Sequence, residues 1–183
     1  MTSEIVWRVL AFGALPAWLL AGAADWLCHR RTEIERTSGA TESVWHMVLH
    51  AEIAVPLLLG LWLEINAGLL LFMAACVLAH MLTSLSDSRY AQPLRYISPI
   101  EQMVHSWLEM LPLFALVLIT LLHADAFTDP HWLPAWRAEP LPKAWRIAVP
   151  VGLGCGFAMI FEEYLRGLWH LRARRALSAE PHL

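Results

Sequence analysis

Three stretches of the chain repeat a four-residue spacing of acids and histidines: Asp25, His29 and Glu33; Glu42, His46 and His50; Glu101, His105 and Glu109. Residues four apart share one face of an α-helix, so each stretch can present a vertical stripe of ligand-type side chains. A further segment adds His80 and Asp87. With 16 acids in 183 residues, chance would place an acid four positions before fewer than one of the nine histidines; His29, His46 and His105 each have one. Neutral imidazole and carboxylate oxygen suit iron, manganese or zinc, and no thiolate beyond Cys28 lies near these residues, which argues against an iron–sulfur cluster. The set exceeds the three or four ligands that one zinc takes. It points instead to a dinuclear centre of the kind that helical bundles build from facing helices.

The elements that must position these groups follow from composition. Hydrophobic residues make up 58% of the chain and charged residues 16%, and the mean hydropathy is +0.50. Soluble domains carry about 25% charge, so this composition is that of an integral membrane protein. A net charge of −3 and a pI near 6.3 exclude the basic footprint of a nucleic-acid binder. Cys28, Cys76 and Cys155 lie too far apart in sequence for a disulfide framework or a zinc finger. Residues 65–86 are free of formal charge and long enough to cross a hydrocarbon core of roughly 30 Å. Four further apolar segments carry ionisable groups within them or at one end. The fold class expected is therefore all-α: one transmembrane domain over 1–183, a bundle of about five helices near 6–36, 42–64, 65–87, 99–122 and 144–172. Gly152 and Gly156 form a helix-packing pair, and Pro56, Pro112 and Pro150 mark kinks. The proline- and tryptophan-rich segment from His123 to Trp145 is expected to lie in the interface.

Basic residues set the expected orientation. With the N-terminus outside, nine of the 13 basic residues fall inside, among them Arg30, Arg31, Arg89, Arg95 and Arg166. Residues 9–20 followed by Ala21-Gly22-Ala23 also resemble a signal-peptide core and cleavage site. Cleavage there would turn the basic loops outward, against the charge rule. The expected location is a plasma membrane, of the bacterial inner-membrane type, with the C-terminus inside.

This topology gathers the polar groups at one depth. Asp25 and His29 close the first helix, Glu42, His46 and His50 open the second, His80 and Asp87 close the third, and Glu101, His105 and Glu109 open the fourth. At 1.5 Å per residue all lie within about 15 Å of the cytoplasmic face. Ionisable residues within membrane spans are costly, and they face the bundle interior to pair or to bind something. The expected metal ligands are His29, His46, His50, His80, His105, Asp25, Glu42 and Glu101, with Glu109 and Asp87 as catalytic carboxylates. Arg89 and Arg95, beside Tyr90 and Tyr96, would hold a substrate head group. Several of these residues also have a purely structural reading. Ser98-Pro99-Ile100-Glu101 reads as a capping box, Glu33 as a solvated residue, Asp87 as a helix-end cap and Glu42 as a partner of the helix dipole. The histidines could also form only an interhelical hydrogen-bond network.

His46-x3-His50 resembles the first histidine box of the membrane-bound diiron desaturases and hydroxylases, with Glu101-x3-His105 and His80 in keeping with ligands spread across helices. The His-x2-His-His boxes of those enzymes are absent. The resemblance implies two iron ions, a lipophilic substrate hydroxylated or desaturated with oxygen, membrane lipids as surroundings and an electron-donor protein as partner. A second expectation is a single-zinc membrane hydrolase of a lipid amide or ester, broadly like alkaline ceramidases, with Glu109 as base. A third is a non-enzymatic protein that binds haem between two histidines or conducts ions.

Overall fold

The computed structural model describes residues 2–179. Five helices account for most of them: α1 (Ser3–Thr32), α2 (Ala40–Trp62), α3 (Ala67–Ala91), α4 (Pro99–Leu122) and α5 (Lys143–Ala179). Each is long and apolar enough to cross a membrane. Large apolar side chains such as Leu20, Leu78 and Leu121 are more than half exposed on the outside of the bundle, as a lipid-facing surface requires. The fold is all-helical, and one isolated bridge between Leu63 and Trp136 is the extent of β-pairing among the described residues.

The helices close into a ring. α1 packs against α4 and α5, α4 against α3, α3 against α2, and α2 against α5. Each helix therefore has two principal neighbours, and the order around the ring is 1-4-3-2-5. The polar stripes face inward at one end, where α1, α3 and α5 finish and α2 and α4 begin.

Local chemistry fixes that end. α1 stops at Thr32 because Glu33 turns left-handed at φ 50°, and a 3₁₀ turn over Ile34–Arg36 carries the chain to Gly39. Gly39 sits at φ 69° before α2 begins, a conformation that costs glycine nothing. Gly167 of α5 lies against this start, where a Cβ would come within 2.7 Å of the Ala40 nitrogen. Only glycine lets the two backbones approach so closely, and the approach brings Glu163, one turn earlier on α5, to the ring interior. Arg166 donates to Glu35 at 2.6 Å, Trp26 and Arg30 donate to Glu162 at 3.1 and 3.3 Å, and the Tyr90 hydroxyl donates to the Ser38 carbonyl at 3.0 Å.

At the opposite end, α1 widens into a π-helical turn over Leu10–Ala14. Pro16 lacks an N–H and its ring would press on the Phe12 carbonyl; the wider turn accommodates both effects. The loop after α4 folds across the α2–α3 turn, where Asn66 donates to the Leu133 carbonyl at 2.7 Å.

Candidate metal centre

The inward stripes converge on one buried cluster. Asp25 and His29 come from α1, Glu42 and His46 from α2, Asp87 from α3, Glu101 and His105 from α4, and Glu163 from α5. Glu42 and Glu101 are fully buried, and His29, Glu163, Asp87 and His46 are all less than a tenth exposed.

Its centre is a pair of stacked imidazoles. The His29 and His46 rings lie 4.5 Å apart and 6° from parallel. Both Nδ1 atoms point at one carboxylate: His29 donates to Glu163 Oε2 at 2.9 Å and His46 to Glu163 Oε1 at 2.8 Å. A carboxylate only accepts, so Glu163 fixes both tautomers with the proton on Nδ1. Each Nε2 is left facing the ring interior, buried and without a hydrogen bond.

What those nitrogens face are carboxylate oxygens. His29 Nε2 lies 3.4 Å from Glu101 Oε1 and 3.5 Å from Asp25 Oδ1; His46 Nε2 lies 3.5 Å from Asp87 Oδ2 and 3.9 Å from Glu42 Oε1. His105 Nε2 lies 3.0 Å from Asp25 Oδ1. The four longer separations exceed those of an N–H···O bond, about 2.7–3.2 Å. Ligand atoms each about 2.0–2.2 Å from one ion lie roughly 2.8–3.6 Å from one another at octahedral to tetrahedral angles, a range that takes in all of these separations except the 3.9 Å from His46 to Glu42. Lone pairs facing lone pairs at that spacing fit a cation between them. Two overlapping groups bring one ligand atom from each residue within 4.8 Å of one another: Asp25, His29, Glu101 and His105, and His29, Glu42 and His46. The donor set is nitrogen and oxygen, which suits iron, manganese or zinc.

Charge supports the same fit. Asp25, Glu42, Asp87, Glu101 and Glu163 bring five carboxylates together, and Arg95 is the one arginine among them. Its Nε donates to both Glu42 oxygens at 3.0 and 3.1 Å, and its Nη2 lies 2.6 Å from Glu101 Oε1. Burial alone would weaken the Arg95 charge, but the Glu42 and Glu101 carboxylates outweigh it and hold its pKa above the ordinary arginine value. Four negative charges remain, which two divalent cations would balance with all three histidines neutral.

The remaining sequence candidates fall elsewhere. His50 and His80 lie outside the cluster, one turn or more farther into the bundle. The His50 ring stacks on Trp18, and its Nε2 lies 3.1 Å from the Leu153 carbonyl; His80 Nδ1 lies 3.1 Å from the Leu49 carbonyl. Glu109 accepts from the Ser84 hydroxyl. All three line a cavity of about 100 Å³ whose floor is the cluster. Arg95, expected at a head group, is instead buried as the bridge between Glu42 and Glu101, whereas Arg89 is exposed. Ser98 caps α4 by accepting from the Glu101 N–H at 3.1 Å, while the Glu101 side chain turns to His29 and Arg95, so the residue has both a backbone and a site role. Glu33 lies exposed, paired with Arg36 at 3.0 Å.

Glu163 is the residue that spacing misses. It has no histidine four positions away, and only its depth, as an acid within the apolar run of α5, marks it. No protein family, curated protein or solved structure matches the chain.

Proposed function

We propose that the chain is a membrane-embedded dinuclear metal oxidoreductase, with two iron ions held by the cluster, acting on a lipophilic substrate. The observation that carries the reading is the stacked His29–His46 pair, whose Nδ1 atoms share Glu163 and whose Nε2 atoms face carboxylates at ligand spacing. Asp25, His29, Glu101 and His105 would hold one ion, and His46, Glu42 and Asp87 the other. Glu163 would orient both imidazoles from behind, as carboxylates commonly do for metal-bound histidines. Arg95 would keep Glu42 and Glu101 ionised and in register.

A pair of iron ions supplies oxygen activation, and hydroxylation or desaturation then consumes dioxygen, two electrons from an external donor and two protons, releasing water with the alcohol or alkene. The chain's own contribution is to orient the ligands, exclude bulk water with the closed ring and present a substrate in the cavity above the cluster. There His50, His80 and Glu109 are the groups positioned to hold or move protons. We place the cluster on the cytoplasmic side, since the basic residues flank that end of the bundle.

A second reading has its own support, because three of Asp25, His29, Glu101 and His105 would hold one zinc and leave its fourth position to water. Metal content of detergent-purified protein by plasma mass spectrometry, with oxygen consumption, separates the two. Near two irons per chain, lost in His46→Ala and His105→Ala, is the expected result. Near one zinc, retained in His46→Ala, would favour hydrolysis. No bound metal under aerobic and anaerobic purification would overturn both.

A further inference from the structure

The ring of helices surrounds a second, larger cavity, open to the outside at its rim, where Phe12 is 76% exposed. It measures about 460 Å³ and fills the half of the bundle away from the cluster, within the roughly 300–1,000 Å³ of ligand sites. Its walls are apolar side chains from all five helices, among them Leu15, Ile53, Met73, Leu111 and Val149. Glu4 and Trp18 both line it, so it extends about 21 Å along α1 at 1.5 Å per residue. That length for its volume is the shape of an extended hydrocarbon chain rather than of a fused ring system. The π-helical turn over Leu10–Ala14 forms part of the wall; such turns often occur at functional sites.

The two cavities meet at one residue. Trp18 lines both, is only 8% exposed and stacks on His50 with ring centroids 5.8 Å apart. Its indole N–H has no acceptor, which leaves a buried donor in the wall that separates an apolar chamber from a polar one. The far rim carries the Glu4–Arg8 ion pair at 2.6 Å, so the chamber is apolar inside and charged at its mouth. Protein interiors are close-packed, and an apolar space of this size takes up an apolar occupant rather than water.

We infer that this chamber binds the hydrocarbon tail of a lipid-derived amphiphile, and that Trp18 is the specificity-determining residue that sets how far the chain reaches toward the cluster. The tail is this site's ligand in its own right; that it belongs to a substrate rests on the function proposed above.

The test uses the full chain in phosphatidylcholine nanodiscs with a sixteen-carbon primary alcohol carrying a diazirine at its last methylene. After photolysis, peptide mapping should place label on chamber residues such as Leu57, Leu111 and Ala115, and excess unlabelled hexadecanol should remove it. Ala115→Trp, which fills the chamber, should lower that label roughly tenfold and leave label on the outward-facing Leu78 unchanged. Ala14→Leu offers a milder obstruction if Ala115→Trp loses its helical circular dichroism. Trp18→Ala should extend the label to Ser84 and Leu108 in the smaller cavity. Label confined to outward-facing residues, or not competed by hexadecanol, would overturn the chamber; a label map unchanged by Trp18→Ala would overturn the role of Trp18. Metal content measured on the same samples keeps the two readings apart. Two ions without competed label overturns only the chamber, and competed label without metal overturns only the cluster.

Discussion

His29 and His46 belong to different helices, yet their rings stack 6° from parallel because one carboxylate, Glu163 on a third helix, accepts a hydrogen bond from each. The arrangement leaves no freedom in either tautomer. Were both rings instead protonated, two like charges about 4 Å apart would repel by ~4 kcal/mol even at an effective dielectric of 20. Neutral rings with Nε2 lone pairs turned toward Asp25, Glu101, Glu42 and Asp87 avoid that repulsion, and the cation proposed above would sit between them.

Glu163→Gln should therefore weaken metal binding without unfolding the bundle. A glutamine accepts through one oxygen only and presents its NH₂ to the other imidazole, so one of the two rings must switch tautomer or rotate. Loss of such an orienting partner costs roughly 10–100-fold in metal affinity. Equilibrium competition with a chelator measures the change, and unchanged far-ultraviolet circular dichroism shows that the helices persist. Unaltered affinity would mean that Glu163 has no orienting role.

Arg95→Ala should destabilise more than any surface substitution. It strips the counter-charge from Glu42 and Glu101, both fully buried, and breaking one side of a buried pair costs about 3–5 kcal/mol. Arg95→Lys should recover part of this, since a lysine keeps the charge but not the fork that spans both carboxylates. The sign of the pH dependence is fixed. The pKa of Arg95 is raised, so its stabilisation is fully present below the ordinary arginine value and is lost only above the raised one. The gap in thermal midpoint between the parent and Arg95→Lys should accordingly be flat from pH 6 to pH 9 as far as this group is concerned.

The bundle was legible in the sequence because apolar length and charge are one-dimensional signals: a run such as residues 65–86 can be read without knowing its neighbours. The clustering of Asp25, His29, Glu42, His46, Glu101 and His105 was legible for a similar reason, since their shared depth follows from which helix ends lie on the same side. Rotation was not legible. His50 lies four residues from His46 on the same helix face, but four residues are about 6 Å of rise, enough to carry its ring past the cluster to Trp18 and the Leu153 carbonyl. Arg95 reads from the sequence as a head-group contact because nothing local shows that the α3–α4 connection folds inward. Glu163 has no local partner at all; its two hydrogen bonds cross more than a hundred residues.

That difference between His46 and His50 can be measured. His46→Ala and His105→Ala should lose metal, whereas His50→Gln and His80→Gln should keep it and alter only turnover or the binding of an apolar probe. Metal loss in His50→Gln equal to that in His46→Ala would mean that the ion lies deeper than the cluster described above.

The orientation is testable by labelling. In a variant with Cys28, Cys76 and Cys155 replaced by alanine, a single Ser178→Cys at the end of α5 should react with a membrane-impermeant maleimide only after the cells are opened, and Asp129→Cys in the α4–α5 connection should react in intact cells. The reverse pattern would put the cluster on the outer side.

Chelation should expose what the metal contributes to stability. An ion that binds only the folded chain stabilises it by about 4 kcal/mol at a thousandfold excess over its Kd. Its removal leaves five carboxylates at the cluster with Arg95 as their counter-charge, so the chelated protein should melt well below the loaded one and recover on addition of ferrous iron. Protons compete with the metal for the same imidazole nitrogens, so the apparent Kd should rise as the pH is lowered, and metal uptake should release protons that a weakly buffered dye assay can count. A thermal midpoint indifferent to chelator at every pH would mean that the cluster is held by its own protons and by Arg95, without metal.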